Sequence, residues 1–221
     1  MAIAFGASSS SGFLNSTTNN FSYIQAAGDN RLLVIYVYSG GDFVTNVTFN
    51  GVGATFINKR LMTGAAAGQY INMWYLIAPD VTTANIVVTS SSNLSGYITA
   101  VSYTGVLQES QPDVSGTNGS DSTTALTTTL TTTVDNAWIM GFAYHNSAVL
   151  AGTNTTLRGA SVNVLASFDT NADQTPAGNH SVQTTVASAD FAGHVTAAFK
   201  PFVSTPTFTP KIPTLLTLGV G

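Results

Sequence analysis

The chain has 221 residues, of which only 7% are charged, whereas soluble domains usually carry about 25%. Six Lys and Arg residues cannot neutralise a run of phosphates, so the composition argues against nucleic-acid binding. Zero cysteines exclude disulfide frameworks and thiolate chemistry, and no stretch approaches the roughly 18 apolar residues of a membrane span, so no membrane partner is expected.

Short apolar runs rich in Val, Ile, Thr, Tyr and Phe, bounded by Gly, Asn, Asp or Ser, predict strands throughout the chain. Asn50-Gly51 is the clearest hairpin turn, because both positions favour positive φ. A dozen strands predict an all-β fold, an antiparallel, jelly-roll-like β-sandwich. The predicted strands are 21–26, 31–38, 44–49, 54–58, 70–77, 85–89, 96–103, 124–132, 137–144, 163–168, 181–186 and 194–199.

An internal echo suggests two related halves within one sandwich. Residues 29–38 match 135–144, each an Asp-Asn turn before a buried strand, and residues 97–101 match 194–198. Because any sandwich reuses such turns, duplication and coincidence both remain open. The predicted organisation is an N-terminal segment (1–19), a sandwich domain (20–201, with halves of about 20–106 and 107–201) and a C-terminal arm (202–221).

The C-terminal arm differs from the rest in composition. Pro206, Pro210 and Pro213 favour an extended chain that cannot donate regular ladder hydrogen bonds. Leu215, Leu216 and Leu218 follow, and an extended arm would expose them unless it lies on a protein surface. Two alternatives stay open: the arm packs on its own sheet, or it docks on a neighbouring subunit by strand addition.

Asp169, Asn171 and Asp173 have the alternating spacing that opens a calcium-binding loop, in which carboxylate and amide oxygens converge on one cation. The loop pattern then fails, because Gln174 stands where Gly is needed and His180 where a bidentate Glu is needed. A structural turn is therefore the leading interpretation, with one weakly bound calcium ion as the alternative. No other cofactor is expected.

Aromatic residues raise the alternative of glycan binding. Trp74 and Trp138 lie in strands that are apolar on both faces, so they are predicted to belong to the core. Tyr36, Tyr38 and Tyr144 lie near strand ends and are the candidates for exposed glycan-binding side chains.

Catalytic signatures are weak. Glu109 is the single glutamate, and its only nearby acidic partner in sequence is Asp113. No Gly-x-Ser-x-Gly motif accompanies the histidines. The sequence therefore predicts a protein that is not an enzyme.

The order of the packing motifs resembles a β-sandwich module of tailed-bacteriophage structural proteins and bacterial surface proteins. The resemblance covers roughly residues 20–201 and brings no catalytic residues. The motifs are 29–34, 47–52, 73–79, 84–89 and 100–106, continued by 156–158 and 194–201.

The resemblance implies a virion surface component, such as a decoration, fibre or tail-associated protein, that assembles in the host cytoplasm. The N-terminus lacks the basic and apolar regions of a secretory signal peptide, which agrees with that location. The expected partners are further copies of the chain, capsid proteins or tail proteins. The alternative is a carbohydrate-binding or adhesion module of an extracellular surface protein.

Overall fold

The computed structural model describes residues 1–203, so Leu215, Leu216 and Leu218 lie outside the described residues. The described chain forms antiparallel strands and a single 3-10 turn at Gly64–Ala66, which confirms the predicted all-β sandwich. The strands are β1 Ala4–Ser10, β2 Thr18–Ile24, β3 Leu32–Ser39, β4 Val44–Phe49, β5 Val52–Gly53, β6 Thr55–Leu61, β7 Tyr70–Ile77, β8 Thr83–Ser90, β9 Gly96–Thr104, β10 Val114–Thr131, β11 Trp138–His145, β12 Leu150–Ala151, β13 Thr156–Val162, β14 Leu165–Asp169 and β15 Asn179–Phe199.

The first half of the chain, β1 to β9, folds as a jelly roll. Its strands are divided between two facing sheets, which we call sheet I (order β1-β9-β3-β7-β6) and sheet II (order β2-β8-β4-β5), and the chain crosses repeatedly from one to the other. Strand β1 pairs with β9, so the sandwich begins well before residue 20, where the sequence placed its start. Asn50 and Gly51 have φ values of 50° and 78° at the turn between β4 and β5, which confirms the predicted hairpin.

The second half, β10 to β15, repeats this order. Sheet III has the order β10-β15-β11-β14-β13, which matches sheet I strand for strand. Residues 125–131 of β10 and 179–185 of β15 pair with each other and, with β12, form a layer that we call the outer ribbon. The outer ribbon folds back over sheet III, because the Asn118 side chain donates a hydrogen bond to the Thr127 carbonyl at 2.6 Å and Leu130 packs over Gly116. The outer ribbon thus occupies the place that sheet II has in the first half.

Three apolar clusters separate the four layers. The first lies between sheets II and I and includes Tyr23, Phe49 and Trp74. The central cluster joins sheets I and III, and the third lies between sheet III and the outer ribbon. Trp74 and Trp138 both belong to these clusters, as the sequence predicts.

Equivalent strands of the two halves face each other across the central cluster. The rings of Tyr36 and Phe142 stack at 5.1 Å, and those of Tyr38 and Tyr144 meet edge to face at 5.0 Å. Both pairs join residues 106 positions apart, as the echo of residues 29–38 in 135–144 requires. The halves are therefore arranged around an approximate twofold axis that runs along β3 and β11.

The predicted match of residues 97–101 with 194–198 is shifted by one residue relative to the structure. Thr99 pairs with Tyr36, and Val195 pairs with Phe142, so Thr99 corresponds to Val195. The sequence match had aligned Thr99 with Thr196, and a shift of one residue reverses which face of the sheet a side chain occupies.

Candidate functional site

An apolar groove opens on the second half beside β12, and we call it the β12 groove. It measures about 430 Å³ and is lined by Ala148, Val149, Leu150, Leu157, Gly159 and Ala166, with Asn163 at its side. Ala166 and Val149 are buried at its base, and half of the Leu150 side chain is exposed at its rim. The groove is therefore apolar and open to solvent.

The chain leaves the sandwich at the end where its first residue lies. The terminal amine of Met1 donates a hydrogen bond to the Phe202 carbonyl at 2.8 Å, and Pro201 bridges to Val106. Val203 is 71% exposed beside a small apolar cleft of about 150 Å³ that is also lined by Leu107 and Val134. The C-terminal arm thus starts from an exposed, largely apolar surface.

Several exposed apolar side chains lie on edge strands. Ile24 is on β2 and Val52 on β5, at the two edges of sheet II. Phe56 and Leu61 lie on β6, at the edge of sheet I, and Leu150 lies on β12. Strands β2, β5 and β12 contain no charged residue. These edges therefore lack the charged side chains that commonly prevent pairing between edge strands.

The structure does not assemble the predicted calcium site. Arg158 donates hydrogen bonds to the Asp169 carboxylate at 2.8 Å and to the Asn171 side chain. Asp173 instead accepts a hydrogen bond from the Trp138 indole at 2.9 Å. Within residues 1–203, no cluster of three or more His, Cys, Asp or Glu side chains could hold a metal ion.

The Arg158 ion pair also connects the two halves. Burial raises the pKa of Asp169, while the hydrogen bond and positive charge of Arg158 oppose that rise. The Arg158 guanidinium lies 4.4 Å from the ring centroid of Phe5 on β1, and the Ser8 hydroxyl donates to the Arg158 carbonyl. Arg158, which binds the segment predicted to hold calcium, is therefore also the contact between β13 and β1.

The predicted glycan-binding tyrosines do not form an exposed surface. Tyr36 is fully buried in the central cluster and Tyr144 is 8% exposed, so neither can stack on a sugar. Tyr38 is partly buried against Tyr97 and Tyr144. Burial is the main cause that raises the pKa of all three tyrosines. Their positions near strand ends suggested exposure, but the opposite half of the molecule covers them.

A different aromatic side chain, Phe13, is exposed at the same end of the sandwich, where it packs on the partly buried Tyr97. Phe13 is 58% exposed, and its ring meets that of Tyr97 edge to face at 5.5 Å. Phe13 lies in the predicted N-terminal segment, outside any strand, which is why the strand pattern did not indicate it.

Asp113, the candidate acidic partner of Glu109, serves as a loop contact. Its carboxylate accepts hydrogen bonds from both the backbone and the hydroxyl of Thr133. The loop around Asp113 is further fixed by hydrogen bonds from the Gln111 amide to the carbonyls of Leu107 and Lys200, each at 3.0 Å.

Two buried histidines form a network that the sequence did not indicate. The Thr184 hydroxyl contacts His194 Nε2 at 2.6 Å and His145 Nε2 at 2.7 Å, and Thr128 contacts His194 Nδ1 at 2.9 Å. Burial lowers the pKa of His145 to about 4 and that of His194 to about 3. Both rings are therefore neutral at pH 7 and act as hydrogen-bonding core residues under the outer ribbon.

Comparisons with known proteins add no further information, since no family model, no curated protein and no solved structure matches the chain. Within the described residues, no helix has the length and apolar character required to cross a membrane.

Proposed function

We propose that this chain is a non-enzymatic structural subunit of an assembled surface, and specifically a virion surface protein such as a decoration, fibre or tail-associated component. It acts by contacts between subunits, made by its strand edges and by its C-terminal arm. Its partners are further copies of itself or other capsid or tail proteins.

The location of the exposed apolar side chains is the observation that carries this proposal. Ile24 is 67% exposed on an edge strand without charge, and Val52 and Leu150 are about half exposed on two other edge strands without charge. A single exposed apolar residue is ordinary in a monomer. Edge strands that combine such residues with unpaired backbone groups, and that carry no charged side chain to prevent pairing, are suited to pairing with another chain.

The distribution of charge supports the same function. The ten acidic residues lie largely in loops, and the whole chain contains only six basic residues. Most of the strand surface is therefore neutral and rich in hydroxyl groups. Such a surface can approach another copy without strong electrostatic repulsion or desolvation of charge.

Light scattering after size-exclusion chromatography tests the proposal on the full chain. We expect a mass above the monomer value of 22.9 kDa that rises with concentration. Replacing both Ile24→Lys and Leu150→Lys should lower the mass, because charge on an edge opposes pairing. The control Ser92→Lys with Asn93→Lys adds the same two charges to an exposed loop and should leave the mass unchanged.

A chain that stays at 22.9 kDa up to its solubility limit would contradict self-assembly. Pull-down of capsid or tail proteins by the wild-type chain, weakened by the two lysine substitutions, would then be the remaining support for docking to other proteins.

Exposure of Phe13 against Tyr97 favours one alternative function, a carbohydrate-binding or adhesion module. Exposed aromatic faces can stack on sugar rings, although the predicted tyrosines themselves are covered. A selective signal on a glycan array that is lost in Phe13→Ala would favour this alternative.

A further inference from the structure

We propose that the β12 groove is the acceptor site for the C-terminal segment 214–220 of a neighbouring copy, which adds to the outer ribbon as a strand. This inference rests on the proposed assembly function and names its acceptor and donor surfaces.

Comparison of the two halves shows that the second half lacks part of a layer. In the first half, β4 pairs with β8 along its length and is extended by β5, and Val47 and Phe49 on β4 are fully buried. The corresponding strand in the second half, β12, has two residues, which pair with Thr184 and Thr185, and two further backbone hydrogen bonds join Gly152 and Thr153 to Gln183. The space that β4 and β5 fill in the first half is therefore partly open in the second.

Side-chain burial shows the same difference. Ala151 pairs with Thr184, whose side chain is fully buried, and paired residues of an antiparallel ladder face the same side. Ala151 therefore faces sheet III, yet it is exposed. The side of β12 that faces sheet III is therefore open to solvent, whereas the same side of β4 carries the buried Val47 and Phe49.

The backbone at β12 can accept another strand. The Gly152 amide donates to the Gln183 carbonyl at 3.0 Å, so Gly152 bonds towards β15. Because backbone groups alternate in direction along a strand, those of Ala151 point away from β15. Two residues earlier this side is already bonded, since the Val149 amide donates to the Asn163 carbonyl at 2.8 Å, so the edge is open from Ala151 onward. An incoming strand could pair there while its side chains enter the groove.

The sequence of segment 214–220 fits this position. In an extended chain, Leu216, Leu218 and Val220 fall on one face, and Leu215, Thr217 and Gly219 fall on the other. The first face offers three aliphatic side chains to an apolar groove, and the segment contains no charge.

Chain length and proline content are compatible with a donor from a neighbouring copy. The ten residues 204–213 include Pro206, Pro210 and Pro213, and a polyproline-type spacer of this length spans about 31 Å. An eight-residue strand such as β11 spans only about 26 Å. A spacer of that reach, starting at exposed Val203, is long enough to present the segment beyond its own sheets, and the proposed assembly supplies the neighbouring copy that would receive it.

Cysteine cross-linking tests the inference, because the chain contains no cysteine of its own. Full-length Ala151→Cys is mixed with full-length Leu218→Cys, and separately with Leu216→Cys, under mild oxidation. We expect a disulfide-linked dimer from at least one mixture, since directly opposed residues in paired strands are close enough for a disulfide.

Two control variants keep the test specific. Asn93→Cys places an exposed thiol on a loop of the first half, away from the strand edges, and should give little dimer with either donor. Leu218→Asp should abolish cross-linking through Leu216→Cys, because it puts a charge in the apolar groove, whereas Leu215→Asp on the opposite face should not.

A chain carrying both Ala151→Cys and Leu218→Cys identifies the donor. Disulfide-linked oligomers support a neighbouring copy, and a disulfide closed within a monomer overturns the inference. If light scattering shows oligomers but cross-linking does not exceed that of Asn93→Cys, the acceptor site is wrong and the assembly function survives. If the chain is monomeric and no cross-link forms, both self-assembly and the inference fail.

Discussion

Arg158 and Asp169 form an ion pair whose carboxylate is fully buried between the two halves. The attraction between the two charges offsets the desolvation of both groups only while both are present. Because the guanidinium also covers Phe5 and hydrogen-bonds Asn171, a single side chain connects β13, the loop after β14, and β1.

We expect Arg158→Met to lower the free energy of unfolding by about 3–5 kcal/mol, because it leaves Asp169 buried without its partner. Urea denaturation measures the change. The control Lys59→Met removes an ion pair that is more than 40% exposed on both sides and should cost less than about 1 kcal/mol. Equal losses in the two variants would contradict the role of burial.

Acid should destabilise the protein through His145 and His194. Their folded-state pKa values of about 4 and 3 lie below the unfolded value of 6.5. Between pH 6.5 and about 4, the unfolded chain binds protons that the folded chain does not. The stability contributed by the neutral rings is therefore complete above pH 6.5 and is lost as the pH falls, by up to about 1.4 kcal/mol per pH unit for each histidine.

Urea denaturation at a series of pH values checks this prediction. His194→Gln should reduce the slope of stability against pH by roughly half, because one of the two titrating groups is gone. Thr128→Val removes a hydrogen-bond partner of His194 and should lower stability at every pH with little change in slope. A wild-type curve that is flat from pH 6.5 to 4 would disprove the histidine mechanism.

At the scale of elements, the β4–β5 hairpin depends on its turn. Gly51 has a positive φ of 78°, and no atom lies within 4 Å of the position where a Cβ would be added. Gly51→Ala should therefore cost about 1–2 kcal/mol through backbone strain alone. Gly53→Ala is the matched control, because its site is equally open and its φ is not positive. Thermal unfolding monitored by circular dichroism should show a lower Tm for Gly51→Ala only.

Strands whose own residues have high β propensity were predictable from the sequence. Strands that lack such residues and depend on hydrogen bonds to a neighbouring strand were not. The predicted bounds of β4 and β7 agree with the structure, because their Val, Ile, Tyr and Phe residues carry the strand signal themselves. Strand β1, with the sequence AFGASSS, and β13, with TLRGASV, lack that signal. Hydrogen bonds to β9 and β14 make them strands.

The candidate site was less predictable than the fold. The spacing of Asp169, Asn171 and Asp173 is compatible with calcium, but Arg158 on the neighbouring strand occupies the carboxylate, and nothing in the local spacing reveals that partner. Tyr36 and Tyr144 lie near strand ends, yet the packing of one half on the other buries them. The β12 groove becomes apparent only when the strands of the two halves are compared.

At the scale of the molecule, the central cluster makes the two halves one folding unit. Tyr36 and Val34 from the first half pack with Phe142 and Met140 from the second. If the halves separated, each would expose its apolar face of the central cluster to water. We therefore expect both halves to unfold together. Calorimetry should give one transition whose calorimetric and van't Hoff enthalpies agree.

Substitution at the stacked pair tests this cooperativity. Phe142→Ala should lower the free energy of unfolding by about 3–5 kcal/mol and still give one transition, because the cavity lies in the shared cluster. Val52→Ala, on an exposed edge, should change stability by no more than about 0.5 kcal/mol. Two separate transitions in the wild-type chain would show instead that the halves fold independently.

The approximate twofold axis between Tyr36 and Phe142 has a further consequence. Two identical chains that meet on such an axis must present the same outer surface on both sides. Because both halves here belong to one polypeptide, each outer surface can be specialised without altering the contact between the halves. Sheet II closes one side with a complete layer, while the short β12 leaves the other side open. The two outer sides of the molecule therefore differ and can bind different neighbours. An assembly that grows in a defined direction requires such a difference.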